Sequence, residues 1–115
     1  MPDIEIVGLA DPSETAVAAL RSKVDGLSTT QTYSQWQQLL ESASPNAVLV
    51  ATPHTLHHEH VMGALDANAH VLCEKPLAHS PELASEIAEH AAKQAKHVVV
   101  SFQRRFSPGY RYMRA

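Results

Sequence analysis

Apolar residues in this chain fall into short runs separated by amphipathic stretches of helical period. The first run is residues 4–10 (IEIVGLA), which stops at Asp11-Pro12-Ser13, a turn and helix-start signal. It reads as a buried parallel strand. Residues 14–24 repeat Val17, Leu20 and Val24 at helical spacing, with Ser13 as cap and Gly26 as a left-handed stop. A weak edge strand follows at residues 31–33, then a helix over 35–41 with Ser34 as cap and Trp36, Leu39 and Leu40 on one face. Residues 47–52 (AVLVAT) are apolar throughout, as expected for a strand covered on both faces. The helix over 56–67 is predicted to bury Leu56, Val61, Ala64 and Leu65, with Asn68 tolerating the left-handed position beyond it. Residues 71–73 form the next strand. Ser80 and Pro81 open a helix whose inner face is Leu83, Ile87, His90 or Ala91, and Ala95. Residues 97–102 (HVVVSF) make another buried strand, and Ser107-Pro108 starts a last turn or helix. This strict alternation implies parallel pairing through right-handed crossovers. The predicted fold is a doubly wound α/β domain of about five strands.

Composition narrows the functional classes. The 115 residues suit one domain, and 44% hydrophobic with 18% charged content fits a globular protein. A net charge of −3 without a basic run argues against nucleic acid as partner. No apolar run approaches the ~20 residues of a membrane helix. The single cysteine, Cys73, cannot form an internal disulfide and suits a reducing, cytoplasmic setting.

Two chemically distinctive spots fall at the carboxyl ends of predicted strands, where open α/β sheets bind their ligands. They are Thr52-Pro53 and Glu74-Lys75-Pro76. The stretches ATPHTLH (residues 51–57), HVLCEKPLA (70–78) and SFQRRFSPGY (101–110) together resemble the N-terminal, Rossmann-like domain of the Gfo/Idh/MocA family. That family contains NAD(P)-dependent oxidoreductases acting mostly on sugars and cyclitols. The resemblance runs from the Asp11 strand to the Tyr110 region. The family opens with a first strand and a Gly-x-Gly-x-x-Gly loop about 20 residues before its acidic strand end. Here ten residues precede Asp11, and Gly8 is the only glycine among them. The resemblance therefore implies that residues 1–115 are a partial dinucleotide-binding domain, from the second strand onward, without the family's C-terminal substrate domain.

What the resemblance implies for single residues is as follows. Asp11 hydrogen-bonds the adenine-ribose hydroxyls, and its carboxylate favours NAD over NADP. Thr52 and Pro53 lie along the cofactor, with His57 as the histidine of the same pattern. Lys75 is the catalytic residue: it reaches the nicotinamide ribose and the substrate hydroxyl and stabilises charge during hydride transfer. Pro76 shapes the backbone there, and Glu74 is a ribose or structural partner. Gln103 and Arg105, preferred over Arg104, lie beside the nicotinamide. Read from the residues alone, each has a plainer account: a turn aspartate, an ordinary βα turn, a charged surface loop, a solvated basic pair. His54, His57, His58 and His60 invite a metal reading, since His54 and His58 could share a helix face. No cysteine or carboxylate completes a clear ligand set, and no metal is expected.

Two functions stay open. One is the nucleotide-binding part of an oxidoreductase that moves hydride between NAD(P) and a sugar or cyclitol. The other is a catalytically inactive remnant acting by association with itself or a full-length relative. In the family's strand order, 3-2-1-4-5-6, the missing strand lies between residues 4–10 and 47–52. Those two strands either pair directly, giving 3-2-4-5-6, or recruit a second copy; self-association is the expected outcome.

Overall fold

A computed structural model describes residues 3–114. The chain divides into two compact units, Met1–Pro45 and Asn46–Ala115. The elements alternate as expected: β1 (Leu9–Ala10), α1 (Glu14–Lys23), β2 (Thr32–Tyr33), α2 (Trp36–Ala43), β3 (Ala47–Val50), α3 (His57–Asp66), β4 (His70–Cys73), α4 (Pro81–Lys93), β5 (Val98–Val100) and α5 (Pro108–Arg114). Single 3-10 turns, His54–Leu56 and Gln103–Phe106, precede α3 and α5. Every described ladder is parallel. The five strands are shared between two ladders, β1-β2 and β3-β4-β5. A direct β1–β3 pairing, which would join them into one sheet, is not formed among the described residues.

In the first unit, the strand expected over residues 4–10 is cut to Leu9–Ala10, paired with Thr32 and Tyr33. Ile4, Ile6 and Val7 are exposed, so this stretch is not a buried strand. Ladder pairing joins strand edges, and a strand's faces are buried only by layers packed over them. Ser13 caps α1 as predicted, its hydroxyl accepting from the Ala16 N–H at 3.2 Å. The apolar positions of α1 are not covered: it has no buried residue, and Leu20 and Val24 are exposed. Ser34 does not cap α2; Gln35 takes that place without a side-chain bond. The α2 face Trp36, Leu39 and Leu40 is half-buried. Leu39 and the Tyr33 ring pack closely on Gly8: a Cβ there would lie 3.2 Å from each and press on both side chains.

The second unit holds the core. Side chains alternate across its ladder, so Val50, Val71 and Cys73 point to one face. There they meet Val61, Ala64 and Leu65 of α3 and Ile87 and Ala91 of α4 in one buried cluster. The opposite face is open. Leu49, Leu72 and Val99 share one register row and are 64%, 42% and 56% exposed. The expectation of a β3 strand covered on both faces therefore fails: α3 and α4 cover one side. Leu56, predicted buried, sits in the 3-10 turn and is exposed; Ala95, beyond the end of α4, is exposed at φ +51°. Ser80 caps α4 through the Leu83 N–H, with Pro81 in its first turn. Asn68 adopts the predicted left-handed conformation, φ +62°. Two histidine–carboxylate hydrogen bonds join the helices: His58 Nε2 to Glu86 at 2.9 Å and His90 Nε2 to Asp66 at 2.6 Å. No described helix is long and apolar enough to cross a membrane.

Candidate functional site

The carboxyl ends of β3, β4 and β5 bring together most of the predicted residues. Parallel pairing in register puts the three strand ends side by side. The ladder continues past the strands: the Glu74 N–H donates to the Val50 carbonyl at 2.8 Å, and the Ser101 N–H to the Cys73 carbonyl at 2.9 Å. Glu74 thus begins the turn after β4 while still fixed to β3. Its carboxylate accepts from Gln103 Nε2 at 2.9 Å, and the same amide lies 3.3 Å from Ser101 Oγ. Two residues 29 positions apart, both expected near the cofactor, hold each other. Lys75 comes next, exposed, with no hydrogen-bond or ion-pair partner among the described residues. The Lys75–Pro76 peptide bond is cis. Arg104 and Arg105 are exposed in the 3-10 turn after β5.

At the end of β3 the chain turns through Thr52-Pro53 into the 3-10 turn and then α3. Thr52 is held from that helix at two atoms. Its hydroxyl lies 2.9 Å from His60 Nδ1, and its carbonyl 2.8 Å from His57 Nε2. Burial holds His60 below its ordinary pKa; Glu59 opposes this shift and His57 adds to it. A neutral ring can accept the Thr52 hydroxyl proton at Nδ1. His57 Nδ1 lies 2.6 Å from the Pro76 carbonyl, so its ring stands between the two turns.

His57 packs inside the protein. Its side chain is wholly buried and both ring nitrogens already face the protein's own carbonyls, so it has no polar atom to offer a ligand directly. The other histidines of this segment have contacts of their own. His58 pairs with Glu86, His60 meets Thr52, and the His54 ring lies edge-on to His57 with centroids 5.6 Å apart. Among the described residues no group of three or more ligands could hold a metal ion. Cys73 is buried, and burial, followed by the nearby Glu74 carboxylate, pushes its thiol up to about 11. It is a small core residue and not a nucleophile.

Asp11 belongs to the first unit. It follows β1 and is exposed, and its Oδ1 accepts from the Ser13 N–H at 2.7 Å. Oδ2 has no protein partner among the described residues. Asp11 lines an open cleft of about 490 Å³ with Glu14, Val17, Arg21, Tyr33 and Ser34. The Arg21 guanidinium in this cleft donates to the Thr30 carbonyl. Glu14 lies three residues after Asp11 in the first turn of α1, and that spacing is its signal in the sequence.

The profile of the oxidoreductase family with an NAD-binding Rossmann fold, GFO_IDH_MocA, matches residues 1–102. The chain belongs to this family. It is similar to the D-glucoside 3-dehydrogenase of Escherichia coli K12, 35% identical over 91% of this chain and 29% of that protein. It is also similar to inositol 2-dehydrogenase 3 of Saccharopolyspora erythraea, 35% identical over 96% of this chain and 32% of that protein. Among solved structures, an NAD-binding oxidoreductase from Klebsiella pneumoniae superposes with a TM-score of 0.77 at 27% identity, over 96% of this chain and 30% of that one. The chain thus spans about 30% of the length of the relatives it matches. In this chain the Thr52-Pro53 turn and the Glu74-Lys75-Pro76 triplet stand together at the carboxyl ends of β3 and β4.

Proposed function

We propose that the chain is the nucleotide-binding part of an oxidoreductase that moves hydride between NAD and a sugar or cyclitol. The observation that carries this reading is the unpartnered, exposed ammonium of Lys75 beside a carboxylate already fixed by Gln103. A lysine free of protein partners at a strand end is available to a substrate hydroxyl, where a cation lowers the cost of developing alkoxide character. Glu74 and Gln103 position the turn, and Thr52 and Pro53 present its neighbour. Arg105 adds positive charge after β5. Nicotinamide, when bound, supplies the hydride acceptor. Asp11, with its free Oδ2, would hold the ribose hydroxyls. The Asp11 carboxylate repels a 2′-phosphate and favours NAD over NADP; Glu14 adds negative charge to the same cleft, and Arg21, which also lines it, donates to the Thr30 carbonyl.

The test has two parts. The 115 residues contain no Gly-x-Gly-x-x-Gly loop, so we expect NAD to bind the chain alone more weakly than about 1 mM. Tight micromolar binding in calorimetry would contradict this. In a longer polypeptide joining this segment to a substrate domain, Lys75→Ala should lower turnover by ~10²-fold or more. Unchanged turnover would remove Lys75 from the chemistry.

Self-association is part of the proposal. Among the described residues β3 has a ladder partner on one side only, as has β1, and such edges recruit strands. Light scattering at micromolar concentration should find a dimer or larger species; a strict monomer would overturn this.

A further inference from the structure

We propose that His57 is a positioning residue: a buried brace that fixes the Lys75-Pro76 turn against the Thr52-Pro53 turn. The ring has no solvent exposure, and its two nitrogens face two backbone carbonyls, Thr52 at 2.8 Å and Pro76 at 2.6 Å. A buried histidine is commonly just a satisfied core residue. This one differs in what it joins. One carbonyl belongs to the turn after β3 and the other to the turn after β4, 19 residues away from the ring. The other backbone tie between these segments is the Glu74 N–H to Val50 carbonyl bond, which stops one residue short of Lys75. Beyond it, among the described residues, the His57 ring links the Lys75-Pro76 turn back to the β3 side.

The donor inventory makes the imidazole hard to replace. Carbonyls only accept, so two that converge on one buried point need a donor between them. An imidazole places one nitrogen on each side of a rigid ring. Each nitrogen holds its carbonyl only while it carries a proton: a singly protonated ring donates to one carbonyl and turns a lone pair to the other, and a doubly protonated ring holds both. A phenyl ring of similar size fills the space and donates nothing. An amide side chain can donate but lacks the rigid span. The brace sits at the start of α3, whose Val61, Ala64 and Leu65 anchor the core, so the position of the Lys75 turn is referred to the rigid part of the unit. Preorganised placement of a reacting group affects function well beyond the contact itself. The inference rests on the proposed nucleotide site for its consequence, though not for the brace itself.

The test uses the 115-residue chain and NADH as probe, read by NMR. In the wild type, a ring N–H of His57 should be protected from exchange and show contacts to residues 76–78. Absence of such a proton overturns the brace whatever the variants do. In His57→Phe, the amides of Lys75, Leu77 and Ala78 should broaden while Val61 and Leu65 keep their shifts. NADH shifts, which the wild type should show only at millimolar concentration, should shrink in this variant at the same NADH concentration. His57→Gln, which keeps one donor, should recover part of both effects. If His57→Phe leaves residues 75–78 ordered and NADH affinity unchanged, the proposal fails. If His57→Phe does not fold, the glutamine variant decides: order at residues 75–78 intermediate between wild type and a Pro76-turn control, Lys75→Gly, supports the brace, and wild-type order refutes it. Should the wild type show no NADH shifts at any concentration, the nucleotide reading fails, and the ring proton and amide order still judge His57.

Discussion

Two ten-residue helices of this chain, α1 and α3, make a direct comparison. Both follow a strand and a turn, and both carry apolar residues at helical spacing. α3 buries Val61, Ala64 and Leu65 completely, together with His57. α1 buries nothing. The contrast extends to the two units. Asn46–Ala115 contains a cluster of eight buried residues, whereas Leu27 is the buried hydrophobic residue of Met1–Pro45 among the described ones. The lesson concerns layers rather than composition. α3 and α4 lie together on one face of a three-stranded ladder. α1 accompanies a ladder of two strands with two residues each. An apolar stripe becomes core only when a second layer is wide enough to cover it.

The sharpest way to break this comparison is a pair of truncations. Leu65→Ala should cost about 2–5 kcal/mol in the urea-induced transition. Leu20→Ala, on the exposed face of α1, should stay within ~0.5 kcal/mol on the same transition. Equal effects would mean that stability is not concentrated in the second unit. A finer reading comes from thiol labelling. Cys73 is buried, with its thiol pushed up to about 11, so at pH 8 it carries on the order of a hundredfold less thiolate than an ordinary cysteine. It should react with a disulfide reagent only when the second unit opens. A cysteine placed at half-buried Val17, in a chain with Cys73→Ala, should react at once; matched rates would erase the distinction between the units.

The smallest expected effect is a pH dependence located at the end of β3. His60 is held below its unfolded value of ~6.5, chiefly by burial. Well above that pH, the folded and unfolded rings are both neutral and no penalty arises. As pH falls through ~6.5 the unfolded chain takes the proton first, so native stability declines, and the decline levels off below the folded pKa. Urea midpoints between pH 7.5 and 5 should therefore fall less in His60→Leu than in the wild type. An identical slope in both would show that His60 is not the group responsible.

Much of this was legible in the sequence because local signals are read locally. Ser13 and Ser80 cap their helices, Pro81 opens α4, Asn68 turns left-handed, and the parallel alternation follows from the order of periods. The resemblance of the Thr-Pro and Glu-Lys-Pro stretches led to the right family. The failures share a cause. An apolar run reports what a segment would bury if it were covered, and nothing in residues 4–7, or in Leu49, Leu72 and Val99, states whether a layer lies over them. Hydrogen-bond partners distant in sequence were equally unreadable. The Glu74–Gln103 bond and the His57–Pro76 contact span 29 and 19 residues, and no local pattern encodes them. Ser34 shows the reverse error: it has the chemistry of a cap, but the helix begins two residues later and Gln35 occupies the position.

The register row formed by Leu49, Leu72 and Val99 bears on how the molecule behaves in the laboratory. Three branched side chains, side by side across adjacent strands, make a greasy strip about 10 Å wide. A formal charge of −3 keeps molecules apart at a distance but cannot shield a strip of that kind at contact. Adsorption to plastic, retention on hydrophobic resin and fluorescence of an apolar dye should all follow this strip, and threonine at Leu49 and Val99 should diminish each of them while leaving the opposite face undisturbed.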